Sequence, residues 1–131
     1  MEEALLVFYG TALLFTIKEQ RENMSFFIDK DIEIEQVEPG ITRKILSRSK
    51  EMMIVKVFFD KDIQGKKHHH PHQQMVYVLS GSFEYCIENE SKILHQGDSV
   101  YISSDKYHYC KSLSQGVLLD IFTPSREDFL Y

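Results

Sequence analysis

Between residues 32 and 122 the chain is cut, at intervals of roughly 8 to 12 residues, into short apolar and β-branched runs separated by turn-forming residues. The runs fall at 32–37, 41–46, 52–59, 75–79, 83–87, 99–102, 107–113 and 117–122. Between them lie Pro39-Gly40, the stretch 60–65, Ser80-Gly81, 89–91, 96–98, 103–105 and 114–116. No amphipathic helical stretch of any strength interrupts this rhythm, and no internal repeat accompanies it. Strands of this length and spacing predict an all-β protein, a small antiparallel barrel of two packed sheets.

The chain has 131 residues, the size of one domain, and its 43% hydrophobic content leaves enough apolar surface to close a core. Fifteen basic against 20 acidic side chains give a formal charge of −5. No general attraction to phosphate backbones or anionic bilayers is available, so neither nucleic acid nor membrane is an expected partner. Cys86 and Cys110 are too few for a secreted disulfide framework and point to the reducing cytoplasm. Residues 1–23 stand apart from the barrel pattern of 24–131. The apolar stretch 4–15 is shorter than the roughly 18 to 20 residues that span a bilayer, and nothing before it resembles the basic start of a secretory signal. Two readings of 1–23 follow: upstream sequence translated ahead of a natural start at Met24, or an N-terminal helix or strand that covers an apolar face.

Four of the six histidines lie within five residues, at His68, His69, His70 and His72. Alternation along an extended strand sends His68 and His70 to one side and His69 to the other. Pro71 then turns the chain, and Gln74 returns beside the two imidazoles. A later turn, Gly97-Asp98, leads to His108. Three imidazoles and one amide oxygen, converging from His68, His70, His108 and Gln74, suit one divalent transition metal with room for a further ligand. His72 is expected to support this set or to face solvent, His95 to lie at the surface, and Cys110 to be a buried thiol or to face the cavity. Cys86 is expected to be ordinary strand filler.

The last run carries an acid in an apolar setting. Leu118, Asp120 and Phe122 share one face of the strand, and Val117, Leu119 and Ile121 share the other. If its face is buried, Asp120 is suited to general acid or base duty with a raised pKa; if its face is solvated, it is ordinary. Arg126 can clamp a ligand carboxylate or pair with Glu127 or Asp128.

These residues carry a resemblance. His68-x-His70, Gln74 and Gly81 are similar to the first cupin motif with Gln in place of the usual Glu, and Gly97-Asp98 to His108 is similar to the second. Two departures stand out: Asp62 where a glycine is expected, and Ser103 and Asp105 where a proline and a glycine are expected. The stretches Gly40-Ile-Thr-Arg-Lys-Ile, Tyr77-Val-Leu-Ser-Gly81 and Leu119-Asp120-x-Phe122-x-Pro124-x-Arg126 resemble the KdgF-type uronate cupins in particular. The resemblance implies a jelly-roll barrel and metal-dependent opening of 4,5-unsaturated monouronates, released from pectin or alginate, to a linear keto acid. It implies that His68, His70, Gln74 and His108 hold a metal such as Ni, Zn, Fe or Mn, that Asp120 handles the proton, that Phe122 lines the pocket and that Arg126 binds the sugar-acid carboxylate. The neutral ligand set, which leaves the cation its full charge, suits this non-redox chemistry. A quercetinase-like dioxygenase and a non-catalytic sugar-binding cupin are the alternatives. A homodimer formed through the Val117, Leu119 and Ile121 face is also expected.

Overall fold

The structure, a computed structural model, describes residues 24–131, and both readings of 1–23 lie outside the described residues. Among the described residues there are nine strands: β1 (Glu35–Glu38), β2 (Ile41–Arg48), β3 (Met53–Phe59), β4 (Gln73–Ser80), β5 (Phe83–Ile87), β6 (Glu90–Leu94), β7 (Ser99–Ile102), β8 (His108–Ser112) and β9 (Gly116–Thr123). The only helical pieces among them are single 3-10 turns at Asp29–Asp31 and Glu127–Phe129. Each of the eight apolar runs overlaps a strand. The ninth, β6, falls outside the expected set, because four of its five residues are exposed and none is buried.

Two antiparallel sheets face one another. The larger has the order β1-β2-β3-β9-β4-β7 and the smaller β6-β5-β8. β9 sits between β3 and β4, in a register that aligns Val55, Asp120 and Val76 in one cross-strand row. Because side chains alternate, every row that buries Leu118 and Phe122 also turns Asp120 inward. The inner faces close a core in which Val76, Val78, Phe59, Ile41 and Leu118 of the large sheet meet Phe83, Tyr85 and Cys110 of the small one. Phe59 and Phe83 join the sheets edge to face, with ring centroids 5.2 Å apart. Each such aliphatic or aromatic side chain contributes about 1.5 to 3 kcal/mol on burial. The second cluster, around Ile45, Met53, Val55, Phe122 and Leu130, lets the C-terminal turn close the end of the barrel beside the histidines.

The two departures from the motifs have a backbone meaning. Asp62 and Asp105 both take positive φ, 60° and 63°, the left-handed conformation that glycine enters most easily and aspartate tolerates. At Gly81 (φ 80°) the same conformation is combined with crowding, since a Cβ would stand 2.6 Å from the Gln115 carbonyl oxygen. No helix among the described residues is long and apolar enough to cross a membrane.

Candidate metal centre and its cavity

The segment that carries the histidine cluster reaches the small sheet through isolated bridges. Gln64 pairs with Lys111 and His68 with His108, the latter through reciprocal backbone bonds of 3.1 and 2.9 Å. This antiparallel pairing sets His68 directly across from His108, with ring centroids 4.3 Å apart. His70 follows two residues later on the same side, its ring 5.7 Å from His68 and 5.0 Å from His108, and its carbonyl accepts from the Asp105 N–H. One ring nitrogen from each histidine lies within 4.8 Å of the others. Gln74, at the start of β4, brings Oε1 to 3.0 Å from His70 Nε2.

The protonation pattern of these rings follows from their backbone contacts. Nδ1 of His68 donates to the Lys66 carbonyl at 2.8 Å, Nδ1 of His70 to the His72 carbonyl at 3.1 Å and Nδ1 of His108 to the Lys106 carbonyl at 2.8 Å. A carbonyl can only accept, so each neutral ring keeps its proton on Nδ1 and presents the Nε2 lone pair inward. Burial lowers the pKa of His108 to about 4, and burial followed by the nearby Arg126 charge lowers that of His70, so both favour the neutral form that binds metal. His108 Nε2 is buried and has no hydrogen-bond partner among the described residues. His70 Nε2 and Gln74 Oε1 then face each other as two acceptors. A cation between these atoms satisfies all of them together, so the residues fit a divalent metal, and the backbone carbonyls fix the ring orientations as outer partners do in metal sites generally.

A cavity of about 270 Å³ opens from this cluster between the two sheets. His68, Gln74, Asp120, Phe122 and Arg126 all line it. Asp120 accepts a hydrogen bond from Gln74, whose amide nitrogen is the free donor once Oε1 points at His70. The other carboxyl oxygen, Oδ1, is buried without a partner. Burial pushes the Asp120 carboxyl up to about 7, against the lowering effects of the Gln74 bond and the Arg126 charge. The solvated-face reading of Asp120 is thereby set aside. Arg126 is bonded through Nε and Nη2 to the two oxygens of Asp128, at 3.0 and 2.8 Å, and its guanidinium also lies over the rings of Phe122 and Phe129. Arg126 is therefore paired with Asp128, as one of its two sequence readings has it, and also lines the cavity, with Nη1 uncommitted to that pair.

The remaining candidates fall into place. His69 is exposed, 3.4 Å from Asp105, with its ring tilted against that of Tyr107. His95 is exposed and bonds Ser82. His72 supports the site through its carbonyl, while its ring packs near His70 and Phe122 with Nδ1 buried and unpartnered. Cys110 lines the cavity as a buried free thiol, and Cys86 is a free thiol beside Ser91. Arg43 and Tyr85 are among the cavity-lining residues that were not singled out from sequence. Their signal was present as parity: Arg43 alternates with Ile41 and Ile45, and Tyr85 with Phe83 and Ile87.

Comparison with known proteins agrees with this geometry. A family model described as a cupin domain matches residues 57–122. The pectin degradation protein KdgF of Dickeya dadantii (strain 3937) is 43% identical over 107 residues, covering 80% of this chain and 97% of that protein. The solved structure of KdgF from a Halomonas species superimposes with a TM-score of 0.78 at 36% identity, covering 82% of this chain and 99% of that one. An RmlC-like cupin from Shewanella frigidimarina gives a TM-score of 0.79, also at 36% identity, over 82% of this chain and 96% of that one.

Proposed function

Because this chain belongs to the cupin superfamily and, within it, to the KdgF family, we propose that it is a metal-dependent, non-redox isomerase that opens 4,5-unsaturated monouronates from pectin or alginate to a linear keto acid. The observation that carries this reading is the meeting of a three-histidine and glutamine cluster with a buried acid at one cavity, which His68, Gln74 and Asp120 all line. A bound divalent cation supplies Lewis acidity toward a substrate oxygen. Everything else falls to the chain. In the reaction the anomeric hydroxyl loses its proton, the bond from C1 to the ring oxygen breaks, C4 gains a proton and the C5 oxygen becomes the ketone, with no net change in atoms or electrons. Asp120, with a pKa near 7 and one oxygen uncommitted, is suited to take one proton and return one. Arg126 holds the substrate carboxylate through its uncommitted donors, and Phe122, 2% exposed, forms apolar wall beside His70.

The test is to incubate metal-loaded protein with lyase-generated unsaturated monouronate and to follow both conjugated absorbance and dissolved oxygen. Loss of absorbance without oxygen uptake is expected. Unchanged absorbance, or oxygen uptake in step with turnover, would overturn the reading and favour respectively a non-catalytic binder or a dioxygenase. The free thiols Cys86 and Cys110 suit the cytoplasm, where we place the protein. We assign homodimerisation to the outer face of the large sheet, where Met75, Tyr77 and Tyr101 are exposed beside Leu119 and Ile121.

A further inference from the structure

The cavity wall opposite Asp120 carries a polar group to which the proposed reaction assigns no part. Tyr85 lies on β5, between Cys110 on β8 and Lys92 on β6, and alternation with Phe83 turns its ring into the space between the sheets. It is 6% exposed and lines the same cavity as His68, Gln74 and Asp120. No hydrogen bond joins its hydroxyl to any other described residue. Because Tyr85 lines the cavity, a small molecule held there can reach it. A buried hydroxyl left without a partner costs about 1 to 3 kcal/mol. Around it the side chains of Ile41, Val55, Val57, Phe59 and Leu118 form an apolar part of the wall. Burial, with the nearby Cys110 and Asp120, raises the Tyr85 pKa well above its usual value, which keeps the O–H intact as a donor.

We propose that Tyr85 is a substrate-binding residue whose O–H donates a hydrogen bond to an oxygen of the sugar acid, on the side of the ligand away from Asp120. The identity of the ligand rests on the function proposed above; the unpartnered hydroxyl in the cavity does not. Such a contact fixes the face that the ring turns toward Asp120, so that the proton reaches one side of C4. It also selects for ligands with an oxygen at that position, because an analogue lacking it leaves the hydroxyl unpaired again.

Tyr85→Phe removes the oxygen and nothing else. Three measurements on zinc-loaded wild type and variant decide the matter: thermal midpoint, calorimetric affinity for D-galacturonate as a saturated probe, and kcat/KM on unsaturated monouronate. We expect a midpoint that does not fall, with affinity and kcat/KM each lowered about tenfold, the scale of one neutral hydrogen bond. A variant equal to wild type in affinity and kcat/KM overturns the inference while leaving the reaction intact. A midpoint lowered by several degrees overturns it too, since the hydroxyl would then serve the fold. If wild type binds galacturonate but converts no unsaturated uronate, the reaction reading fails and the affinity ratio alone judges Tyr85. If wild type binds neither compound, both fall.

Discussion

The two faces of β4 and β9 differ by a single residue of register and by everything in their chemistry. On the inner face Gln74, Val76 and Val78 stand against Phe122, Asp120 and Leu118; on the outer face Met75 and Tyr77 stand against Ile121 and Leu119. Inside, the polar groups are few and tied together: Gln74 touches both His70 and Asp120. Outside, large apolar groups stand in solvent, with Met75 56% exposed. In each case a residue is out of keeping with its surroundings. A polar group on a buried face needs a partner or a task, and an apolar patch on an open face needs a cover.

The inner face can be broken most severely at the metal. His68 is exposed, so His68→Ala should leave the thermal midpoint of the metal-free protein nearly unchanged. It should also lower metal affinity by more than the roughly 10- to 100-fold that losing an outer partner costs, and take turnover to background. Metal analysis and competition with a chelator check this. Next in size is Arg126→Ala, which removes the charge-assisted contacts to a carboxylate and should raise KM about 10- to 100-fold with a smaller change in kcat. A variant with wild-type KM would reduce Arg126 to its pair with Asp128.

A pH experiment sharpens the contrast between faces, because only an inner-face acid carries a large ionisation cost. Asp120 has a folded pKa near 7, raised above its ordinary value of 3.8. Protonation therefore favours the fold: wild-type stability gains as pH falls through 7, and the full cost of the carboxylate is present at pH 8. Metal-free Asp120→Asn should thus be more stable than wild type at pH 8, by about 2 kcal/mol after allowing for solvent in the cavity, and that advantage should be smaller at pH 5 and vanish only below the ordinary value of 3.8. His108, whose depressed pKa acts in the opposite sense, is common to both proteins and cancels. Denaturant midpoints at the two pH values decide this, and a constant difference would contradict it. The smallest effect belongs to the outer face. Met75→Lys should convert a dimer to a monomer in light scattering while changing protomer stability by no more than about 0.5 kcal/mol.

How much of this was legible in the sequence depended on whether a residue's neighbours were local. The parity of His68, His69 and His70 is a property of three adjacent residues, and the structure keeps it. The same holds for Asp120 between Leu118 and Phe122. β6 was missed because its pairing is made wholly by β5, while its own residues face water and show no alternation of burial. The seating of β9 between β3 and β4 was equally hidden, since it joins segments more than 35 residues apart by way of backbone bonds that any sequence can make. Tyr85 and Arg43 read as ordinary strand residues, and their meaning appears only when the facing sheet leaves a cavity rather than packed side chains. The ring anchors were illegible for a related reason: Lys66, His72 and Lys106 support the histidines through carbonyl groups, which no side-chain pattern reports.

The central claim is that Asp120 moves the proton while the histidine and glutamine cluster holds the metal. It is tested most directly by the turnover of metal-replete Asp120→Asn on unsaturated galacturonate, measured beside wild type with metal content determined on the same samples. The amide keeps the shape of the carboxyl and loses its acid-base function. The account requires kcat to fall by about a hundredfold or more at unchanged metal stoichiometry. Near-normal kcat in a fully loaded variant would contradict it and would leave the buried carboxyl with a purely structural role.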